Sequence, residues 1–210
     1  MITVHHLNNS RSQRIVWLME ELELDYILVK HQRDPQTFMA PPSLKAIHPL
    51  GKAPTIEDRG IAIAESGAII EYIVNEYGKG QLVPEKNSLD HMRYLEWMHY
   101  VEGSATAPLM FQLLAKIASC DHEGLSAIIN YLKSANLTFV EAQLADKEFI
   151  VGDTFTAADI QLTFLLEMID ATGEINAYPN ANAYLLRMQQ RSGYQKALEK
   201  GGPYSLKDFT

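Results

Sequence analysis

Apolar residues recur along this chain with two different periods. Ile2-Thr3-Val4-His5-His6-Leu7 reads as a short strand. Ser10–Leu22 then carries Ile15, Leu18, Met19 and Leu22 at the i, i+3, i+4, i+7 spacing of a helix. Tyr26-Ile27-Leu28-Val29 is a continuous apolar run, the pattern of a buried central strand. The stretch between Arg33 and Ile47 has no clear period and reads as irregular. Ala53–Asp58 and Ile61–Ala64 flank Asp58-Arg59-Gly60, which predicts a hairpin turn. Ser66–Tyr77 is helical again, with Ile69, Ile70, Ile73 and Tyr77 on one side. A βαβ unit with a right-handed crossover, completed by the hairpin, gives a four-stranded mixed sheet.

Past Gly78-Lys79-Gly80-Gln81-Leu82-Val83-Pro84, a stretch rich in helix breakers, the strand signals vanish. His91–Ala118 is helical, with Pro108 expected to kink or reshape it. Glu123–Leu144, Ala157–Thr172, Asn180–Gln190 and Gly193–Lys200 read as further helices. The predicted organisation is an α/β domain over 1–78, a linker over 79–88 and an all-helical domain over 89–210.

Charge and composition narrow the function. The net charge of −8, with no Lys/Arg block, argues against nucleic acid as a partner, because phosphate contacts need clustered positive charge. No run of about 18 apolar residues predicts a membrane span. The N-terminus lacks the pattern of a secretory signal. Cys120 is the single cysteine, so no internal disulfide is possible, and a reducing cytoplasm is the expected compartment. The seven histidines show no ligand spacing, and no metal is expected.

Two motifs carry candidate chemistry. Pro49-Leu50-Gly51-Lys52-Ala53-Pro54-Thr55-Ile56 reads as a rigid turn running into a strand, and Glu65-Ser66 opens a helix. Together they offer strand-like backbone groups, an acid and a hydroxyl at a helix N-terminus. That combination suits a small peptide-like ligand bearing a carboxylate and an amine. Thr156-x-x-Asp159 is a capping-box pattern, and both residues are expected to be structural.

Four separated stretches resemble the cytosolic glutathione transferases. They are Ser10-Arg11-Ser12-Gln13-Arg14-Ile15-Val16-Trp17-Leu18-Met19-Glu20-Glu21-Leu22, Pro49 to Pro54, Glu65-Ser66, and Phe149-Ile150-Val151-Gly152-Asp153 with Thr156-Ala157-Ala158-Asp159-Ile160. The first resembles bacterial and fungal members. The resemblance implies a thioredoxin-like N-terminal domain that binds glutathione, an all-α C-terminal domain that supplies the electrophile site, and a homodimer. It implies a cis bond at Pro54, with Ala53 pairing its backbone to the tripeptide. It implies that Glu65 and Ser66 hold the γ-glutamyl end. Lys52 and His48 are candidates for the glycine carboxylate, and Lys52 reads equally as a solvated turn lysine. Ser10 sits where serine-type members stabilise the glutathione thiolate, with Asn9 and Ser12 as alternatives in the same turn. There is no tyrosine or cysteine early enough for the other versions of that site. Tyr94, Tyr100, Met110 and Phe111 are the candidate lining of the electrophile pocket. The implied reaction is conjugation of glutathione to a small apolar electrophile, or reduction of a hydroperoxide, with no cofactor beyond glutathione. The alternative is a non-enzymatic binding or regulatory protein of the same fold.

Overall fold

Strand β1 (Ile2–Leu7) is the axis about which the first part of the chain is built. In the computed structural model, which describes residues 1–37 and 39–207, the sheet has the order β2-β1-β3-β4. Strand β2 (Tyr26–His31) lies parallel to β1, β3 (Thr55–Asp58) antiparallel to β1, and β4 (Ile61–Ala64) antiparallel to β3. This is the mixed four-stranded sheet that the alternating pattern predicts. One detail differs. β2 is an edge strand, and Ile27 is 49% exposed. An apolar run reports what covers the faces of a strand. It carries no information on whether a second strand bonds its outer edge.

Helix α1 (Gln13–Glu21) follows β1, and helix α3 (Ser66–Glu76) follows β4. The hairpin turn places Arg59 at φ 50° and Gly60 at φ 82°, the two positive values that a two-residue turn needs to match strand twist. Buried Asp58 accepts the hydroxyls of Tyr72, at 2.7 Å, and Tyr77, which fastens the hairpin to the last turns of α3. Between them, Pro42–Ile47 forms a six-residue helix, α2, in the stretch that reads as irregular. Pro42 opens it, where a missing N–H costs nothing. Six residues with one buried side chain, Leu44, are too few to leave a period in the sequence.

A chain of hydrogen bonds holds α2 on the sheet. Ser43 Oγ lies 3.1 Å from His31 Nδ1, His31 Nε2 lies 3.1 Å from His5 Nδ1, and His5 Nε2 lies 2.8 Å from Glu57. With both rings neutral, one proton arrangement satisfies every link. Ser43 donates to His31, His31 to His5, and His5 to the carboxylate.

The described residues form two compact units. The first comprises Met1–Val83 and Gln189–Ser205; the second comprises Pro84–Met188 with Leu206 and Lys207. The terminal helix α9 (Ser192–Gly201) therefore packs with the first unit, whereas the sequence pattern assigned all of 89–210 to one helical domain. Specific polar contacts place it there. Glu21 takes Arg191 bidentately, at 2.9 Å through each oxygen, and Trp17 Nε1–H at 2.7 Å. Lys200 pairs with Glu20 at 2.7 Å, and Tyr194 meets Trp17 edge-on. A Cβ on Gly193 would stand 2.7 Å from the Glu21 carboxyl carbon, so glycine permits this approach.

The second unit is helical. α4 (Leu89–Tyr100) passes through a π-helical turn, Val101–Ala105, into α5 (Ala107–Ile117). Pro108 has no N–H for the Ser104 carbonyl, and just ahead of it Thr106 N–H reaches back five residues to Val101 at 2.9 Å. Then come α6 (Glu123–Gln143), α7 (Ala157–Thr172) and α8 (Pro179–Gln189). Among the described residues no helix is long and apolar enough to cross a membrane.

α7 is buried along most of its length, and Asp159 anchors its start. This fully buried carboxylate accepts from Thr156 N–H at 2.7 Å, Thr156 Oγ1 at 3.1 Å, Ile150 N–H at 2.8 Å and Tyr184 OH at 2.5 Å. Burial pushes its pKa up, and the four donors pull it back. Asp159→Ala removes the shared acceptor. Two backbone N–H groups are then left unpaired, at about 1–3 kcal/mol each. The expected loss is about 2–5 kcal/mol by urea melts, with the specific activity of the folded fraction retained. A wild-type melting curve would remove Asp159 from the framework.

Candidate active site

The register of the sheet decides which loops meet. β1 and β3 pair antiparallel with His5 opposite Thr55, and β3 and β4 pair with Thr55 opposite Ala64. Continuing the first ladder, His6 falls toward Pro54 and Leu7 toward Ala53, and one step beyond the second, Pro54 falls toward Glu65. The turn after β1, the Ala53–Pro54 segment and the start of α3 therefore gather at one edge of the sheet. The Ala53–Pro54 peptide bond is cis.

Glu65 is the residue before α3, exposed, with φ at 72°. A non-glycine residue in this left-handed region is uncommon and directs attention to the site. Ser66 is the first helical residue. Its hydroxyl accepts from Arg14 Nη2 at 2.9 Å, and both side chains are buried. This bond joins the first turns of α1 and α3, so two helix N-termini, each with a positive field, are held side by side. Arg14 went unnoticed in the sequence, although its i, i+4, i+8 spacing with Leu18 and Leu22 puts it on the apolar face.

The turn Asn8–Ser12 is bonded throughout. Asn8 Oδ1 accepts Arg33 N–H at 2.8 Å, and the Arg33 side chain donates to the carbonyls of Asn8 and Asn9 at 3.2 and 3.4 Å. Burial first, then the charge of Arg11, lowers the Arg33 pKa. Asn9, at φ 50°, accepts the Ser205 N–H on its Oδ1 at 2.9 Å. Ser10 Oγ donates to the Leu7 carbonyl at 2.8 Å, accepts Ser12 N–H at 3.2 Å and touches Ser12 Oγ at 2.7 Å. Ser12 Oγ in turn accepts Leu7 N–H at 3.0 Å and lies 2.9 Å from His6 Nδ1. Of these three alternatives, Ser10 and Ser12 are buried and Asn9 is half-buried.

The two basic candidates lie on either side of Gly51. Lys52 is exposed, and His48 is half-buried with Nδ1 accepting Leu50 N–H at 3.3 Å. In the second unit, Tyr94 is 1% exposed and stacks on His91. Tyr100 is half-buried and donates to Asn136 Oδ1 at 2.8 Å. It lines a groove of about 280 Å³ between α4 and α6 with Trp97 and Phe139. Met110 is half-buried and Phe111 exposed, next to each other on α5.

Comparisons with known proteins agree with this architecture. Residues 10–76 match the family described as glutathione S-transferase, N-terminal domain, and residues 131–192 match glutathione S-transferase, C-terminal domain. The chain is similar to glutathione S-transferase 3 of Schizosaccharomyces pombe, 33% identical over 78% of this chain and 72% of the relative. It is 30% identical to glutathione S-transferase 1 of Saccharomyces cerevisiae over 95% of each. A crystal structure of a glutathione S-transferase from Actinobacillus pleuropneumoniae superposes with a TM-score of 0.91 at 34% identity, covering 98% of this chain and 94% of that one. The chain belongs to the glutathione transferase family, enzymes that use glutathione as co-substrate.

His6 is buried beside this turn, and its pKa is lowered to about 4, by burial first and then by the charge of Lys30. The unfolded ring takes its proton near pH 6.5 and the folded ring only near 4. The stability tied to neutral His6 is thus intact above about pH 6.5, falls as pH drops, and is fully lost below about 4, a total of about 3 kcal/mol. Urea melts across that window should show a shallower fall for His6→Asn, which cannot titrate, than for the wild type. Parallel curves would mean that His6 does not titrate there.

Proposed function

We propose that this enzyme binds glutathione along the Ala53–Pro54 segment and the start of α3, stabilises its sulfur as a thiolate with the Ser10 hydroxyl, and delivers it to a small apolar electrophile. The observation that carries this reading is the Arg14–Ser66 bond, which sets the N-termini of α1 and α3 together at the sheet edge where Ser10, Ala53 and Glu65 gather. A free thiol, with pKa near 8.5, is only about 3% ionised at neutral pH. A hydroxyl donor in the field of two helix N-termini raises that fraction. Ser10 acts as a donor to sulfur and forms no covalent bond to the substrate.

Ala53 pairs its backbone with the tripeptide, as an added strand does. Exposed Glu65 takes the ligand's ammonium, Ser66 its γ-glutamyl carboxylate, and Lys52 and His48 its glycine carboxylate. Met110 and exposed Phe111 suit flexible apolar electrophiles. Products are thioethers or, when the electrophile is a hydroperoxide, an alcohol and a glutathione sulfenic acid, which a second glutathione converts to the disulfide with release of water. A cytoplasmic setting is supported by the single cysteine, Cys120, and a homodimer by family membership alone.

Ser10→Ala should lower kcat by about 10²-fold with a chromogenic electrophile while the glutathione Kd stays within about threefold, because the lost donor acts on sulfur. Equal turnover would hand the role to Asn9 or Ser12. Glu65→Ala should weaken glutathione binding by about 10- to 100-fold in calorimetry, the worth of one hydrogen bond to a charged group. An unchanged Kd takes Glu65 out of the site.

A further inference from the structure

Ser10 can donate to a sulfur only where another group serves the Leu7 carbonyl. Four acceptors compete for few donors: the Leu7 carbonyl, Ser10 Oγ, Ser12 Oγ and His6 Nδ1. Ser12 Oγ lies within reach of three of them, the Leu7 carbonyl at 3.1 Å, Ser10 Oγ at 2.7 Å and His6 Nδ1 at 2.9 Å. Suppose neutral His6 carries its proton on Nε2. Its Nδ1 then takes the Ser12 proton, and Ser10 must serve the Leu7 carbonyl, as its 2.8 Å contact indicates. No hydroxyl proton is left for a sulfur. Suppose instead that the proton is on Nδ1. His6 donates to Ser12, Ser12 turns to the Leu7 carbonyl, and the Ser10 proton is released. Ser12 Oγ then accepts from Leu7 N–H and His6 while Ser10 Oγ keeps Ser12 N–H, and the 2.7 Å contact between the two hydroxyl oxygens, left without a proton, lengthens.

We propose that Ser12 and His6 are positioning residues, and that His6 in its Nδ1–H form frees the Ser10 hydroxyl to point at the glutathione sulfur. This rests on the reading of Ser10 given above. A second observation supports the exchange of tautomers. The Gln13 carboxamide is buried, and neither its oxygen nor its nitrogen has a hydrogen-bond partner among the described residues. Its Oε1 and His6 Nε2 both face the space at Gly201, 2.6 and 3.3 Å from where a Cβ there would stand. A carboxamide offers an acceptor to Nε2–H and, turned over, a donor to bare Nε2, so its chemistry suits either form. Burial keeps the ring neutral through the working pH range, and the change is one of tautomer and not of charge.

Two readouts test this in the intact enzyme. Nitrogen-15 NMR of the histidine rings, with glutathione bound, should show His6 protonated on Nδ1; protonation on Nε2 in that complex would overturn the proposal. Ultraviolet titration of the bound thiolate should show Ser12→Ala raising the thiol pKa by about one unit, a tenfold lower thiolate fraction near neutrality. Ser12→Thr, which keeps the hydroxyl, should restore it. A folded Ser12→Ala variant with the wild-type thiol pKa also overturns the proposal. Ser10→Ala separates the two levels. If it raises the thiol pKa while Ser12→Ala does not, only the positioning network is wrong. If it leaves the thiol pKa unchanged, the role of Ser10 itself falls. The NMR measurement on the wild type decides the matter even where Ser12→Ala does not fold.

Discussion

The antiparallel register between β1 and β3 is the constraint on which the site depends. Pairing His5 with Thr55 brings the end of β1 beside the start of β3, and pairing Thr55 with Ala64 brings the end of β4 to the same place. Three segments that are far apart in sequence thereby share one edge. A slip of one residue between β1 and β3 would turn Thr55 and Glu57 to the face opposite His5 and break the His5–Glu57 bond. The hydrogen bonds that Tyr72 and Tyr77 donate to Asp58 hold the hairpin end of this ladder, so register and α3 are fixed together.

On that frame, electrostatics does the chemical positioning. Arg14 is a buried cation whose hydrogen bond to Ser66 ties two helix starts. Ser10, Ser12, His6 and the Leu7 backbone form a compact, buried polar cluster. Exclusion of water strengthens each of those bonds and makes any unpaired member costly. Such a cluster has few proton arrangements, which is why a histidine tautomer can govern a hydroxyl two links away.

Much of the architecture was legible beforehand because period and punctuation encode it. Ile15, Leu18, Met19 and Leu22 announce α1, Arg59-Gly60 announces the hairpin, and Pro108 marks where α4 gives way to α5. The Thr156–Asp159 pattern pointed to an anchored helix start, and the structure adds Ile150 and Tyr184 to its donors. α2 escaped notice because six residues hold less than two helical turns.

By itself, the sequence determined the kinds of element, the family motifs and the residue types on which thiol chemistry can draw, because spacing and side-chain chemistry are local properties. Only the tertiary structure decided that β2 takes the sheet edge, that α9 packs on α1 through Glu21 and Arg191, and that Arg14 reaches Ser66. It also set His6 and Gln13 around the serine turn. These are contacts between residues distant in the chain. Their partners are chosen by geometry and by the need to satisfy buried polar groups, and neither leaves a periodic trace.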